Sequence, residues 1–276
     1  MAKHVQKFLG DIMAQPNVLI LYGDGINCDY ETKDAVDKSM ERYARIFGQC
    51  RLNSDHVHRT HLNVVDHKIM KDHQILLIPG GFSRGDYPRA GVGLGIYLIY
   101  DLYDDILEFI EDGKLIMGTC NGLQALAASG ILPATDGNYT NPTAALWRND
   151  SGRFIDTWVE LEVNPNSPCV FTRGVKELYL PIRHGEGKFV APEEVLDQME
   201  RQNQIVLTYA EGNNFNGSLR DIAGICDRTG RVFGKMPHAE AFTDEVQHPR
   251  WTRERPDMEK SGILIYMNMV EYFSEN

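Results

Sequence analysis

The chain has 276 residues, of which 42% are hydrophobic, and it carries a formal net charge of −11. This length fits one large α/β domain or two small ones with a sizeable core. The acidic balance argues against a protein that binds nucleic acid or an acidic membrane surface, and the longest apolar stretch, residues 91–100, is too short to span a bilayer.

The first half of the chain alternates short apolar runs with helical patterns. Residues 18–22 and 75–78 are continuous apolar runs closed by glycine-containing turns, which predicts buried parallel strands. The pattern further predicts a helix over 31–47, a strand and connection over 56–66, a helix over 94–112, a strand over 114–117 and a helix that ends at Gly130. This alternation predicts an α/β fold with a doubly wound, mostly parallel central sheet flanked by helices.

After about residue 150 the pattern changes. Residues 158–163 alternate between apolar and polar side chains, as a half-exposed strand does. Further strands are predicted over 179–183, 204–209, 222–226 and 232–235, with a hairpin turn at 228–230 and a closing amphipathic helix over 259–273. We therefore expect the sheet to continue into an antiparallel extension. Because no linker or repeat interrupts the chain, residues 1–276 are predicted to form a single domain.

Five cysteines, at positions 28, 50, 120, 169 and 226, are widely spaced and form no C-x-x-C pair. This usage argues against a disulfide framework or a zinc ribbon and favours a reducing compartment. The first ten residues also lack the apolar segment of a secretory signal peptide. We expect a cytoplasmic protein.

Cys120 is the predicted nucleophile. It lies in GTCNG at 118–122, between an apolar strand pattern and a helical pattern, and matches the G-x-nucleophile-x-G elbow with cysteine in place of serine. The N-terminus of the following helix favours the thiolate form. The alternative is a buried structural cysteine, because free cysteine is among the most buried residue types.

A cysteine nucleophile needs a base, and the nine histidines supply the candidates. His238 follows a predicted strand and is followed by Glu240, so that an imidazole and a carboxylate lie at the edge of the sheet where Cys120 also lies. A zinc deaminase H-x-E site would need a later cysteine pair, and no cysteine follows residue 226. His184, flanked by glycine, is a second candidate for a residue that lines the site.

Acyl transfer also needs donors for a developing oxyanion. The backbone N–H of Asn121 is one candidate, and that of Gly81, in a Pro-Gly-Gly turn after the strand at 75–78, is the other. The alternative for the second segment is a plain turn. The chain contains neither a complete G-x-G-x-x-G dinucleotide fingerprint nor a P-loop.

Together these segments resemble the class I (triad) glutamine amidotransferases, and more narrowly the glutaminase subunits of phosphoribosylformylglycinamidine synthase. The segments that carry the resemblance are GINCD at 25–29, IPGGFSRGDY at 78–87, GTCNGLQ at 118–124, RHGEGKF at 183–189, NGS at 216–218, DIAG at 221–224 and MPHAE at 236–240. The chain departs from the family at Ala239, where proline is usual. Residues 1–16 and the stretch around 245–258 look like additions.

The resemblance implies that Cys120 attacks the side-chain amide of L-glutamine, that His238 shuttles the proton and that Glu240 orients His238. It also implies an oxyanion hole at Gly81 and Asn121. The substrate contacts assigned with it are Gly80, Phe82, Gln124 and His184.

The resemblance further implies partners. Ammonia would pass to a separate synthetase subunit that uses ATP and Mg²⁺ in de novo purine biosynthesis, and a small bridging subunit is expected. No cofactor or metal is expected in this chain. Two alternatives stay open: another cysteine-nucleophile amidotransferase or amidase on the same scaffold, and a regulatory subunit that retains the fold without the activity.

Overall fold

The computed structural model describes residues 16–48, 52 and 54–275, so the predicted extension at 1–16 lies outside the described residues apart from Pro16. The strands are β1 (Val18–Tyr22), β2 (Val57–His61), β3 (Ile75–Ile78), β4 (Leu115–Thr119), β5 (Ala145–Trp147), β6 (Ile155–Val163), β7 (Glu177–His184), β8 (Lys188–Val190), β9 (Ile205–Tyr209), β10 (Ile222–Cys226) and β11 (Val232–Lys235). The helices are α1 (Asp29–Phe47), α2 (His67–Lys71), α3 (Val92–Tyr100), α4 (Tyr103–Glu111), α5 (Asn121–Ala128), α6 (Glu193–Arg201) and α7 (Ile263–Glu275).

The central sheet of the described chain has the strand order β2-β1-β3-β4-β11-β10-β9-β6-β7. The pairs from β2 to β11 are parallel, and those from β11 to β7 are antiparallel. β5 and β8 form a separate antiparallel pair. The predicted fold class, a mainly parallel α/β sheet with an antiparallel extension, is confirmed.

The parallel strands β1, β3, β4 and β11 are buried on both faces, whereas the edge strand β2 is only partly buried. In β1, Val18 and Ile20 pack in one core with α1 and α7, whereas Leu19 and Leu21 pack in a second core with α3, α4 and α5. This is the two-residue period of a strand with helices on both sides. The two cores hold the strands together, so the loops at their carboxyl ends are carried on a rigid frame.

Several predictions of local structure are corrected. The helix expected over 94–112 is two helices, α3 and α4, separated at Asp101 and Leu102, where Leu102 leaves the helical conformation (φ −128°). The break lets Leu98 and Ile106 both reach the second core. The elements α2, β5, β8 and α6 were not predicted, because their apolar positions are too few to show a period.

The predicted addition around 245–258 forms turns and short 3₁₀ segments, the first of them Glu245–Gln247. No helix in the described part of the chain is both long and apolar enough to cross a membrane.

Candidate active site

Cys120 stands at a strained corner between β4 and α5. Its backbone has φ 50° and ψ −103°, a conformation that residues other than glycine rarely adopt. Its N–H donates to the carbonyl of Lys235 at 2.7 Å, and its Sγ lies 3.7 Å from the carbonyl oxygen of Arg183. The side chain is 5% exposed. The strand-to-helix turn predicted from the sequence therefore holds a free thiol in a fixed position.

The two glycines of this elbow are required by close backbone contacts. A Cβ atom on Gly122 would lie 2.1 Å from the carbonyl oxygen of Ile78, and one on Gly118 would lie 2.7 Å from backbone atoms of Gly122. Contacts that short do not occur between real atoms, so a side chain at either position would push α5 away from β3 and β4.

His238 and Glu240 follow β11 and face each other. Nδ1 of His238 donates to Oε1 of Glu240 at 2.5 Å, and both side chains are at most 3% exposed. The backbone N–H of His238 donates to the carbonyl of Pro181 at 2.8 Å, which fixes the loop against β7. A Cβ on Gly80 would lie 2.8 Å from Cε1 of His238 and 3.4 Å from Cβ of Cys120, so the imidazole and the cysteine flank the same glycine.

The charges of this pair stabilise each other. Burial lowers the pKa of His238, but the Glu240 carboxylate and the neighbouring thiols of Cys120 and Cys28 raise it well above its ordinary value. Burial raises the pKa of Glu240, but the charges of His238 and Lys235 more than offset this and lower it to about 2. At neutral pH the arrangement favours an imidazolium beside a carboxylate, and an imidazolium favours a neighbouring thiolate.

The loop after β3 covers the elbow. Gly80 accepts hydrogen bonds from the N–H groups of Asn27 and Cys28 at 3.1 and 3.2 Å. A Cβ on Gly81 (φ 154°) would lie 2.4 Å from the carbonyl oxygen of Gly25, so this position also requires glycine. The Pro-Gly-Gly segment is thus a tightly held loop against the first loop of the sheet.

Asn121 connects this loop to the nucleophile. Its side-chain oxygen accepts from the N–H of Ser83 at 3.1 Å, and its amide donates to Asp86 at 3.1 Å and Gln124 at 2.9 Å. Asn121 is the first residue of α5, and because the amides in the first turn of a helix have no acceptor within the helix, its backbone N–H makes no bond inside α5. The asparagine after the cysteine therefore fixes the distance between the elbow and the glycine loop.

Cys120 and His238 open onto a cleft of about 280 Å³, which is lined by Asn27, Cys28, Glu31, Gly81, Phe82, Cys120, Phe154, Arg183 and His238. Phe82 and Phe154, about half exposed, face each other at a ring distance of 6.3 Å. Other cavities of the described chain are as large, among them one of about 380 Å³ and one of about 310 Å³ that is lined by His248 and Glu254, but neither of these two is lined by a cysteine. Chemistry, not size, distinguishes this cleft.

Of the nine residues assigned to the site from the sequence, Gly81, Phe82, Cys120 and His238 line the cleft, whereas Gln124 and His184 do not. Gln124 is 4% exposed and donates to the carbonyl of Glu186 at 2.6 Å. His184 is 3% exposed, its Nδ1 lies 3.2 Å from Asn149 Oδ1, and burial together with the charge of His238 lowers its pKa to about 4. Their assignment as substrate contacts stays a prediction.

Three side chains near the chemistry were not predicted. Cys28 places its Sγ 3.9 Å from Nδ1 of His238, Phe154 lines the mouth of the cleft, and Lys235 lies buried beneath it. Cys28 follows β1 at the same end of the sheet as Cys120, and Lys235 is a charge in an otherwise apolar strand. Both signals are present in the sequence.

The described residues contain two groups with ligand atoms within 4.8 Å of one another: Cys28 with His238 and Glu240, and the half-exposed set His67, Asp105 and Glu108. Two ligands of one tetrahedral Zn²⁺ would be about 3.3 Å apart at the usual bond lengths. The separation of 2.5 Å between His238 and Glu240 is that of a hydrogen bond. The imidazole and carboxylate of the buried group are therefore arranged as a hydrogen-bonded pair, which suits acid–base chemistry.

The chain is similar to known proteins in sequence and in structure. Residues 15–273 match the family model described as the CobB/CobQ-like glutamine amidotransferase domain. The chain is 37% identical to phosphoribosylformylglycinamidine synthase subunit PurQ of Methanococcus maripaludis over 96% of this chain and 100% of that protein, and 38% identical to PurQ of Dehalococcoides mccartyi over 94% and 98%. A chain in the structure of PurLQS from Thermotoga maritima matches with a TM-score of 0.67 and 28% identity, over 94% of this chain and 99% of that one.

Proposed function

The chain belongs to the glutamine amidotransferase family that includes the PurQ subunits, and we propose that it is the glutaminase subunit of a phosphoribosylformylglycinamidine synthase. The observation that carries the proposal is the buried set of Cys120, His238 and Glu240 at one cleft, on a chain that matches PurQ proteins over nearly its full length.

In this proposal the thiolate of Cys120 attacks the side-chain carbonyl carbon of glutamine. The carbonyl oxygen becomes an oxyanion that accepts from the N–H groups of Asn121 and Gly81. The imidazolium of His238 gives its proton to the nitrogen as the C–N bond breaks, and ammonia leaves a γ-glutamyl thioester. His238 then removes a proton from water, which attacks the thioester and releases glutamate and the thiolate.

Glu240 holds His238 in the tautomer that this sequence needs. A carboxylate bound to Nδ1–H directs Nε2 toward the reacting groups, and Nε2 of His238 makes no hydrogen bond among the described residues. Burial of the pair excludes water, which strengthens the attraction between the imidazolium and the carboxylate.

The ammonia is proposed to pass to a synthetase subunit that consumes ATP with Mg²⁺, with a small bridging subunit in the complex. The PurLQS structure, which this chain resembles, supports assembly with other subunits. We assign no cofactor to this chain. A cytoplasmic location is proposed from its cysteines, because Cys28, Cys120, Cys169 and Cys226 are all free.

The proposal is tested by measuring glutamine hydrolysis by the purified chain, alone and with the synthetase subunit, ATP, Mg²⁺ and formylglycinamide ribonucleotide. We expect weak hydrolysis alone and at least about tenfold stimulation by the complete mixture. Omission of the nucleotide substrate is the control and should remove most of the stimulation. Hydrolysis that no synthetase subunit stimulates would refute the synthase assignment and favour an independent amidase.

A further inference from the structure

Lys235 is a charged side chain in a position that ordinary packing does not explain. It lies on β11 between apolar neighbours and is fully buried, at 0% exposure. A buried lysine is costly unless its charge is paired, and an apolar side chain of similar volume would often be as stable there. The proposed mechanism gives it no role.

The contacts of Lys235 connect the two halves of the active site. Its Nζ donates to Thr119 Oγ1 at 2.8 Å, on the residue before the nucleophile, and to the carbonyl of Pro237 at 3.0 Å, on the residue before the histidine. It also lies 3.8 Å from Oε2 of Glu240. That oxygen accepts no hydrogen bond from the described residues, so Lys235 is its ionic partner.

We propose that Lys235 is a positioning residue whose buried positive charge shares the Glu240 carboxylate with His238 and lowers the pH at which the Cys120–His238 pair becomes reactive. The proposal deepens the proposed function, since it concerns the same thiol and imidazole. Lys235 touches neither the substrate nor the reacting atoms and acts through Glu240 and through the electrostatic potential at Cys120.

The sign of the effect follows from the charge. A positive charge close to a titrating group favours its deprotonated form, so an ionised Lys235 opposes the effect of Glu240 and lowers the pKa of the His238 imidazolium. Without the charge of Lys235 to offset it, the carboxylate of Glu240 raises the pKa of His238 further. The pH dependence of reactivity at the site should then move to higher pH.

Other titrating groups surround the site and are unchanged by this substitution. Cys28 faces it from the loop after β1, His184 from the end of β7, Tyr209 from the end of β9 and Tyr266 from α7. Tyr209 and Tyr266 are neutral near pH 7, because burial raises the pKa of both phenols. Burial lowers the pKa of Lys235 below its ordinary value, and the carboxylate of Glu240, 3.8 Å from Nζ, opposes that shift because it favours the charged form.

The test is the pH dependence of Cys120 alkylation by iodoacetamide, quantified on the Cys120 peptide by mass spectrometry. We compare the native chain with Lys235→Met and with Lys235→Gln, which retains a donor for Thr119 or Pro237 but no charge. Lys260→Met is the matched control, because Lys260 does not line the cleft and its Nζ pairs with Glu177 Oε2 at a distance of 2.9 Å. We expect both Lys235 variants to move the midpoint up by about one pH unit, which slows alkylation at pH 7 by up to about tenfold.

An unmoved midpoint in either folded Lys235 variant would overturn the proposal, as would an equal shift in the Lys260 variant. Failure of both Lys235 variants to fold would also overturn it, because the lysine would then be required for structure. Alkylation needs no turnover of glutamine. The result therefore remains readable even if the chain proves not to be a glutaminase.

Discussion

His238 and Glu240 form a buried pair in which Nδ1 of the imidazole donates to Oε1 of the carboxylate at 2.5 Å, and each side chain stabilises the charged form of the other. The carboxylate keeps the imidazole charged and oriented, while the imidazole and Lys235 hold the pKa of Glu240 at about 2. The carboxylate is therefore ionised throughout the physiological range, and the imidazole beside Cys120 depends on a partner that does not itself titrate there.

Glu240→Gln should reduce kcat/KM for glutamine by at least about 100-fold, because the amide can meet the imidazole but cannot stabilise the imidazolium. Steady-state glutaminase assays check this. Glu41→Gln, on the exposed face of α1, is the control and should change the rate little. A Glu240 variant with native kcat/KM would remove the carboxylate from the mechanism.

Gly122→Ala should destabilise the protein by about 3 kcal/mol or more, because the new Cβ would lie 2.1 Å from the carbonyl oxygen of Ile78. Gly113→Ala is the control: Gly113 has φ 76° and open space around it, so the cost there is only backbone strain of about 1–2 kcal/mol. Urea unfolding measures both. Equal losses would mean that the elbow has room for a side chain.

His184 should make the protein less stable in mild acid. Its folded pKa of about 4 lies below the ordinary value of 6.5, so its contribution is complete above pH 6.5 and is lost as the pH falls toward 4. The loss at pH 5 is about 2 kcal/mol. The Tm of His184→Asn should therefore fall less from pH 7 to pH 5 than the Tm of the native chain. The control is His67→Asn, at an exposed histidine, and its Tm should fall as much as that of the native chain. A native-like fall in the His184 variant would contradict this.

Ala239→Pro should be tolerated and should raise stability by about 0.4–1 kcal/mol, through the entropy of the unfolded chain. Ala239 opens the 3₁₀ turn Ala239–Ala241, where the N–H has no acceptor within the turn, and the preceding His238 is extended (φ −90°, ψ 93°) as a residue before proline prefers. Calorimetry and glutaminase assays measure the outcome. A loss of stability would show that the proline ring does not fit against its neighbours.

The sequence predicts best where one local pattern determines the structure. The apolar runs that became β1 and β3, and the glycines around Cys120, identify buried strands and a sharp strand-to-helix turn without any long-range information. By contrast, the break between α3 and α4 depends on how two helices share one core. The nine-residue α6 has only Val195, Leu196 and Met199 buried, too few for a period to emerge from its charged residues.

The site itself was predictable as a set of residues but not as a geometry. His238 and Glu240 are two apart in sequence, so their pairing is local. Their approach to Cys120 depends on β11 lying parallel to β4, which periodicity does not reveal. The same pairing places Lys235 opposite Thr119, and a single charge in an apolar strand becomes meaningful only when that register is known.

The measurement that tests the central claim most directly is product formation by the reconstituted synthase with Cys120→Ala, with glutamine or with ammonium as the nitrogen source. We predict loss of glutamine-dependent formylglycinamidine ribonucleotide synthesis by at least about 1000-fold, with ammonium-dependent synthesis within about threefold of native. Retention of glutamine-dependent synthesis, or equal loss of both activities, would contradict the role assigned to Cys120.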